Sequence, residues 1–173
     1  NKILDSVVAD LESLQSGGVD AVMFGNEFDR PYVFTAPPEG LAALASVIGQ
    51  VKSMIKIPFG VNYLWDPVAT VALAVATDAS FAREIFTGVY ASDMGLWTPD
   101  CAGAARLRSS QGRSDLQMIF NINASNKERL LPPSALADDN ALGNYYLIET
   151  CNYSQTGPIP FVDIQFKKES KIH

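Results

Sequence analysis

The sequence predicts an α/β fold in which parallel strands alternate with helices packed outside the sheet. Three observations predict it. Some segments carry apolar residues at helical spacing and others carry short continuous apolar runs. The two kinds alternate, one helix and then roughly four strand-helix units. Helix starts are marked by Asp-Pro or Thr-Pro, where a side-chain oxygen accepts from free N–H groups and proline fits the first turn.

Residues 1–16 place Ile3, Leu4, Val7, Val8, Leu11 and Leu14 on one stripe, and Gly17-Gly18 supplies a C-cap. Val19 to Phe24 reads as a strand buried on both sides. A loop with Pro31, Pro37 and Pro38 leads to a helix over Glu39 to Ile55, with Leu41, Leu44, Ile48, Val51 and Ile55 in register. Ile57 to Leu64 is the next strand. Asp66-Pro67 opens a helix to about Asp78, Phe81 to Phe86 is a strand, and Val89 to Trp97 is a loop. Thr98-Pro99 opens a helix ending near Gly112, and Leu116 to Ile122 is a strand. Beyond it Pro132-Pro133 forbids a long helix. Ser134 to Leu142 is a short helix, Tyr145 to Cys151 a strand, and Lys167 to His173 a polar tail. A barrel and an open doubly wound sheet both satisfy this order, and periodicity does not separate them.

Composition narrows the function classes. With 47% apolar and 18% charged residues, the 173-residue chain has the make-up of one globular domain, not of a disordered segment. A net charge of -6 argues against nucleic acid and against a basic membrane-surface patch. No apolar run approaches the ~20 residues of a membrane span. Cys101 and Cys151 have no metal-ligand spacing and read as reduced thiols of a cytoplasmic protein. Asn123-Ala124-Ser125 and Asn152-Tyr153-Ser154 match the glycosylation pattern by chance on that reading. His173 is the only histidine, which removes a Ser/His/Asp triad and a His-rich zinc site. There is no G-x-G-x-x-G after the first strand and no phosphate-loop motif, so no cofactor is specified. The start, Asn1-Lys2-Ile3-Leu4-Asp5, reads as the middle of a helix, so a longer parent protein is expected.

Three ordered motifs carry a family resemblance. They are Gly17-Gly18-Val19-Asp20-Ala21-Val22-Met23-Phe24 with Asn26-Glu27-Phe28; Ile57-Pro58-Phe59-Gly60-Val61-Asn62 with Leu64 and Asp66; and Phe81 and Arg83 with Phe86-Thr87-Gly88, Tyr90, Asp93 and Gly95. Together they resemble the second, third and fourth strands of the BtpA/SgcQ family, nearer the SgcQ branch. The resemblance covers roughly residues 5–123 of a single domain 1–173, with 124–173 diverged. It implies a (β/α)8 TIM-type barrel of the ribulose-phosphate-binding kind. That barrel is incomplete here, with strands two to six, because a whole one takes ~250 residues. It further implies a link to sugar utilisation for the SgcQ branch and to photosystem I biogenesis for the BtpA branch. The fifth-strand segment Phe120-Asn121-Ile122-Asn123 lacks the Asp and His-Lys pair of many members, and Thr156-Gly157-Pro158 echoes a later element.

In such a barrel chemistry sits at the C-terminal ends of the strands. That rule selects Glu27 and Asp93 as catalytic candidates and Asn26, Asn62, Asp66, Arg83 and Asn121 as substrate-binding ones. Each has a structural alternative. Glu27 is either a general base or a surface carboxylate. The N-cap role of Asp66 already accounts for it. Arg83 either grips a phosphate or carboxylate or pairs with an inner acid such as Glu27. Glu84 is expected to face away from Arg83 by strand alternation. Trp65 and Trp97 either stack on a sugar or pack. No metal site is expected. The functional expectation is an enzyme, or enzyme remnant, acting on a small phosphorylated or sugar-like metabolite. The alternatives are a non-catalytic assembly factor and a degenerate fragment, whose unpaired strand edges would favour a homo-oligomer.

Overall fold

The computed structural model describes residues 2–27, 29–92, 94–121, 128–129 and 145–148. In chain order the elements are α1 (Lys2–Ser16), β1 (Val22–Gly25), α2 (Pro38–Val51), β2 (Phe59–Asn62), α3 (Pro67–Thr77), β3 (Phe81–Glu84), β4 (Tyr90–Ser92), β5 (Gly95–Trp97), α4 (Cys101–Ser110), β6 (Gln117–Asn121), β7 (Glu128–Arg129) and β8 (Tyr145–Ile148). A single 3-10 turn, Lys52–Met54, prolongs α2.

Five strands form one parallel sheet in the order β1-β2-β3-β6-β8. The order runs in one direction and never reverses. The register fixes which side chains share a face. Phe24 pairs with Val61, Val61 with Ala82 and Ala82 with Met118. This row packs with Leu11, Ile48, Val51, Val71, Leu73 and Ala104 of the helices in one core. The opposite face carries Gly25 beside Asn62 at one level, and Phe81 beside Gln117 and Arg83 beside Ile119 on the next pair. β2, between β1 and β3, is buried at all four positions, whereas β1, the strand expected to be buried on both sides, is fully buried only at Val22 because it ends the strand order.

Local signals place the helices. Gly18 takes φ +79° just past α1, the left-handed geometry that glycine adopts cheaply. The Gln15 side chain donates to the Met54 carbonyl (3.1 Å) and accepts from the Lys56 amide (2.7 Å), which ties the end of α1 to the approach to β2. Asp66 caps α3 by accepting from the Ala69 amide at 2.9 Å, as the Asp-Pro signal predicts. The cap of α4 differs from expectation: Asp100, not Thr98, accepts from the Gly103 amide at 2.7 Å, and the helix starts at Cys101. Thr98-Pro99 instead leads out of a short antiparallel hairpin. That hairpin, β4 with β5, replaces the loop expected over Val89 to Trp97, and β7 extends it to three strands. Three-residue strands are too short to leave an alternation pattern in the sequence. The expected helix at Ser134 to Leu142, the tail and the Thr156-Gly157-Pro158 element lie outside the described residues. No helix among the described residues is long and apolar enough to cross a membrane.

Asp66 also binds the loop after β1, because its second oxygen accepts from the Ala36 amide at 2.8 Å. Replacing Asp66 by Ala removes the cap, worth about 1 kcal/mol, together with this loop anchor. A loss of about 2 kcal/mol in urea unfolding is expected, and a loss within experimental error of zero would contradict the two-point role.

Candidate functional site

The parallel strands all end at one rim, and the loops that follow β1, β2 and β3 meet above it. An aromatic cluster joins them. Phe34 stacks on Trp97 at 5.9 Å between centroids, Trp65 meets Trp97 edge-on at 5.5 Å, and Tyr90 lies 5.8 Å from Trp97. With Ile85 they make a second apolar core apart from the main one. Trp65 and Trp97 therefore pack against each other and their neighbours. Trp65 is held at φ +75°, a conformation that a bulky residue adopts only when its surroundings over-determine it.

Two of the selected residues brace these loops. Asn26 Oδ1 accepts from the Leu64 amide at 2.8 Å and so links the ends of β1 and β2. Asp66 has both carboxylate oxygens engaged by backbone amides. Asp93 lies outside the described residues.

The others converge. Asn62 and Arg83 stand on adjacent strands, and Asn121 stands at the end of the next. Asn62 is 1% exposed and Glu84 2%. Asn62 Nδ2 donates to the Arg83 carbonyl and to Glu84 Oε2, the latter at 2.7 Å. Glu84 Oε1 accepts from the amide of Ile85 at 2.7 Å. Glu84 thus joins the polar group rather than standing apart from it. Alternation misplaces it because β3 ends at this residue and the carboxylate closes onto its own successor. Its position as the last residue of the strand was the available signal.

Arg83 Nε donates to Asn121 Oδ1 at 3.1 Å. Among the described residues no ion pair joins Arg83 to Glu27, so Asn121 takes the place expected of that acid. Burial pushes the Arg83 pKa down, while the carboxylates of Glu84 and then Glu27 push it back up. A guanidinium stays charged under such opposing effects. Glu27 itself is exposed, and its backbone carbonyl accepts from the Tyr32 hydroxyl. Its carboxylate lies on the Gly25 side: Oε1 falls 3.8 Å from the point where a Cβ on Gly25 would stand. The result is a row of Gly25, Asn62, Arg83 and Asn121 with one fixed positive charge among acids and amides. Such a row can hold an oxyanion through the guanidinium and a neutral donor through an amide oxygen. Among the described residues no three His, Cys, Asp or Glu side chains gather around a metal position.

Comparison with known proteins is consistent across three kinds of relative. A family model described as the BtpA family matches residues 1–138. The putative sgc region protein SgcQ of Escherichia coli is 52% identical over 70% of this chain and 46% of its own length. An uncharacterized protein of Pyrococcus horikoshii is 32% identical over 63% of this chain and 43% of its own. The photosystem I biogenesis protein BtpA of Synechocystis is 29% identical over 76% of this chain and 47% of its own. The chain spans about half the length of the curated relatives it matches. No solved structure matches it.

Proposed function

The chain belongs to the BtpA family, and from that premise we propose that its strand-end rim binds a small phosphorylated or carboxylated, sugar-like molecule. Arg83 is the anchor of that binding. Its guanidinium is largely withdrawn from water, Nε is spent on Asn121, and its other N–H groups have no partner among the described residues. That single observation carries the reading, because a partly buried guanidinium with open donors suits a bidentate oxyanion. On this proposal the parallel sheet, whose order runs in one direction with helices packed on one face, is part of a (β/α)8 barrel. Chemistry in that architecture lies at the strand ends, which supports the choice of rim. Asn62 and Asn121 then complete the binding residues. Glu27, exposed and on the same side as the row, is the candidate general base of an enzyme acting on the bound molecule.

The test is thermal unfolding of the chain and of Arg83→Met with ribose 5-phosphate, glucose 6-phosphate and inorganic phosphate, each with and without Mg²⁺. A ligand selective for the native state raises the melting temperature. A shift is expected for the natural sequence and none for Arg83→Met, with Asp115→Asn, at the far end of the sheet, shifting like the natural sequence. Equal shifts in all three remove Arg83 from the site.

A second reading is a non-catalytic assembly role, supported by the name of the Synechocystis relative. Its expected signature is stoichiometric association with a protein partner and no response to any anion.

A further inference from the structure

The row around Arg83 contains a second unspent group. Asn62 is almost fully buried, yet its Oδ1 meets no hydrogen-bond donor among the described residues. The orientation of the amide is not arbitrary. Turning it over would set Oδ1 against the Arg83 carbonyl and the Glu84 carboxylate, acceptor against acceptor. The two acceptors therefore dictate that Nδ2 faces them and Oδ1 faces away. A buried acceptor left empty costs about 1–3 kcal/mol, and such groups in native proteins call for a specific partner.

The adjacent strand leaves room for one. Gly25 pairs with Asn62 in the register. A Cβ added there would stand 3.4 Å from the Asn62 carbonyl oxygen and 3.8 Å from both the Asn62 Cβ and Glu27 Oε1, ordinary contact distances, so glycine leaves a methyl-sized space beside Asn62. On the other side stands Arg83. The sheet thus sets an empty position, an unused acceptor and a set of unused donors in sequence along its end.

We propose that Asn62 determines the specificity of this site: its Oδ1 accepts a hydrogen bond from a hydroxyl of the same small molecule whose anionic group Arg83 holds. The ligand class is a hydroxylated oxyanion, either a phosphate ester or a carboxylic acid with a free hydroxyl a few bonds from the charge. The inference rests on the anion-binding reading of Arg83 and adds the requirement for a hydroxyl donor. Oδ1 has almost no exposed surface, so a hydroxyl bonded to it is shielded from competing water.

The experiment changes the ligand before the protein, since Asn62 also supports the fold. Calorimetric titration of the chain compares 2-hydroxyethyl phosphate, 2-methoxyethyl phosphate and ethyl phosphate, with glycolate against acetate as the carboxylate arm. Whichever arm binds identifies the anion. The hydroxylated probe is expected to bind about tenfold more tightly than its hydroxyl-free and O-methyl counterparts, the worth of one well-shielded hydrogen bond. The O-methyl probe matters because it keeps an oxygen and loses the donor. NMR of the Asn62 side-chain amide attributes the effect, with a shift expected for the hydroxylated probe and not for the others. Equal affinities within an arm overturn the inference and leave the anion site standing, the empty acceptor then being met by an internal water. A tenfold preference with an unmoved Asn62 amide also overturns it, since another group must read the hydroxyl. No binding in either arm removes the anion-site reading and the inference together.

Discussion

Gly60→Val is expected to destabilise the protein by about 3 kcal/mol or more, at the upper end of what overpacking costs in a filled core. Gly60 pairs with Phe81 across β2 and β3. A Cβ at position 60 would stand 2.0 Å from Phe81 Cε2 and 2.1 Å from Cδ2. Real carbon atoms do not approach that closely, so the ring must leave its place. Phe81 is buried, and its ring has little room to yield. The strand itself tolerates valine well, so the loss comes from the ring and not from the backbone. Urea unfolding of Gly60→Val, Phe81→Ala and the double variant checks this. Phe81→Ala alone is expected to cost about 3–5 kcal/mol. Because the new side chain and the ring compete for one space, the double variant should lose less than the sum by about 1–3 kcal/mol. Strict additivity would show that the two positions do not share that space.

Asn62→Leu should cost about 3 kcal/mol or more, although leucine shares the branching pattern of asparagine and suits an interior strand. The amide supplies one donor to the Arg83 carbonyl and one to the Glu84 carboxylate. Leucine takes one hydrogen bond from each of these acceptors in a place closed to water. A buried hydrogen bond lost in this way costs about 1–3 kcal/mol. A second substitution isolates the cause. Glu84→Met in the Asn62→Leu background removes the charged acceptor and is expected to recover about half the loss, as a packing defect at position 62 would not. A single-variant loss under about 1 kcal/mol would mean that the hydrogen bonds contribute little to stability.

Both predictions depend on register, which the chain does not display. The sequence read by itself determined the alternation of helices and strands, and it located the Asp66 cap and the turn at Gly18. These rest on interactions within one turn of helix or on the apolar character of one short segment, so neighbouring residues suffice to specify them. The ordered motifs around Val22, Phe59 and Phe81 also determined membership of the BtpA family. Selecting Asn62, Arg83 and Asn121 needed only the rule that strand ends carry polar function.

Tertiary structure decided how those residues are connected. Whether Arg83 meets Glu27 or Asn121 depends on the stagger of β3 against β6, which sets Arg83 level with Ile119 and within reach of Asn121. Whether Glu84 faces the helices or the amide of Asn62 depends on where β3 stops. Asp66 looks like a cap in the sequence, and only the fold brings the Ala36 amide to its second oxygen. The hairpin of β4 and β5 exists because Trp97 and Tyr90 pack with Trp65 and Phe34 from two other loops. Hydrogen bonds and aromatic contacts between strands distant along the chain are set by register and loop course, and a local pattern of residue types carries neither.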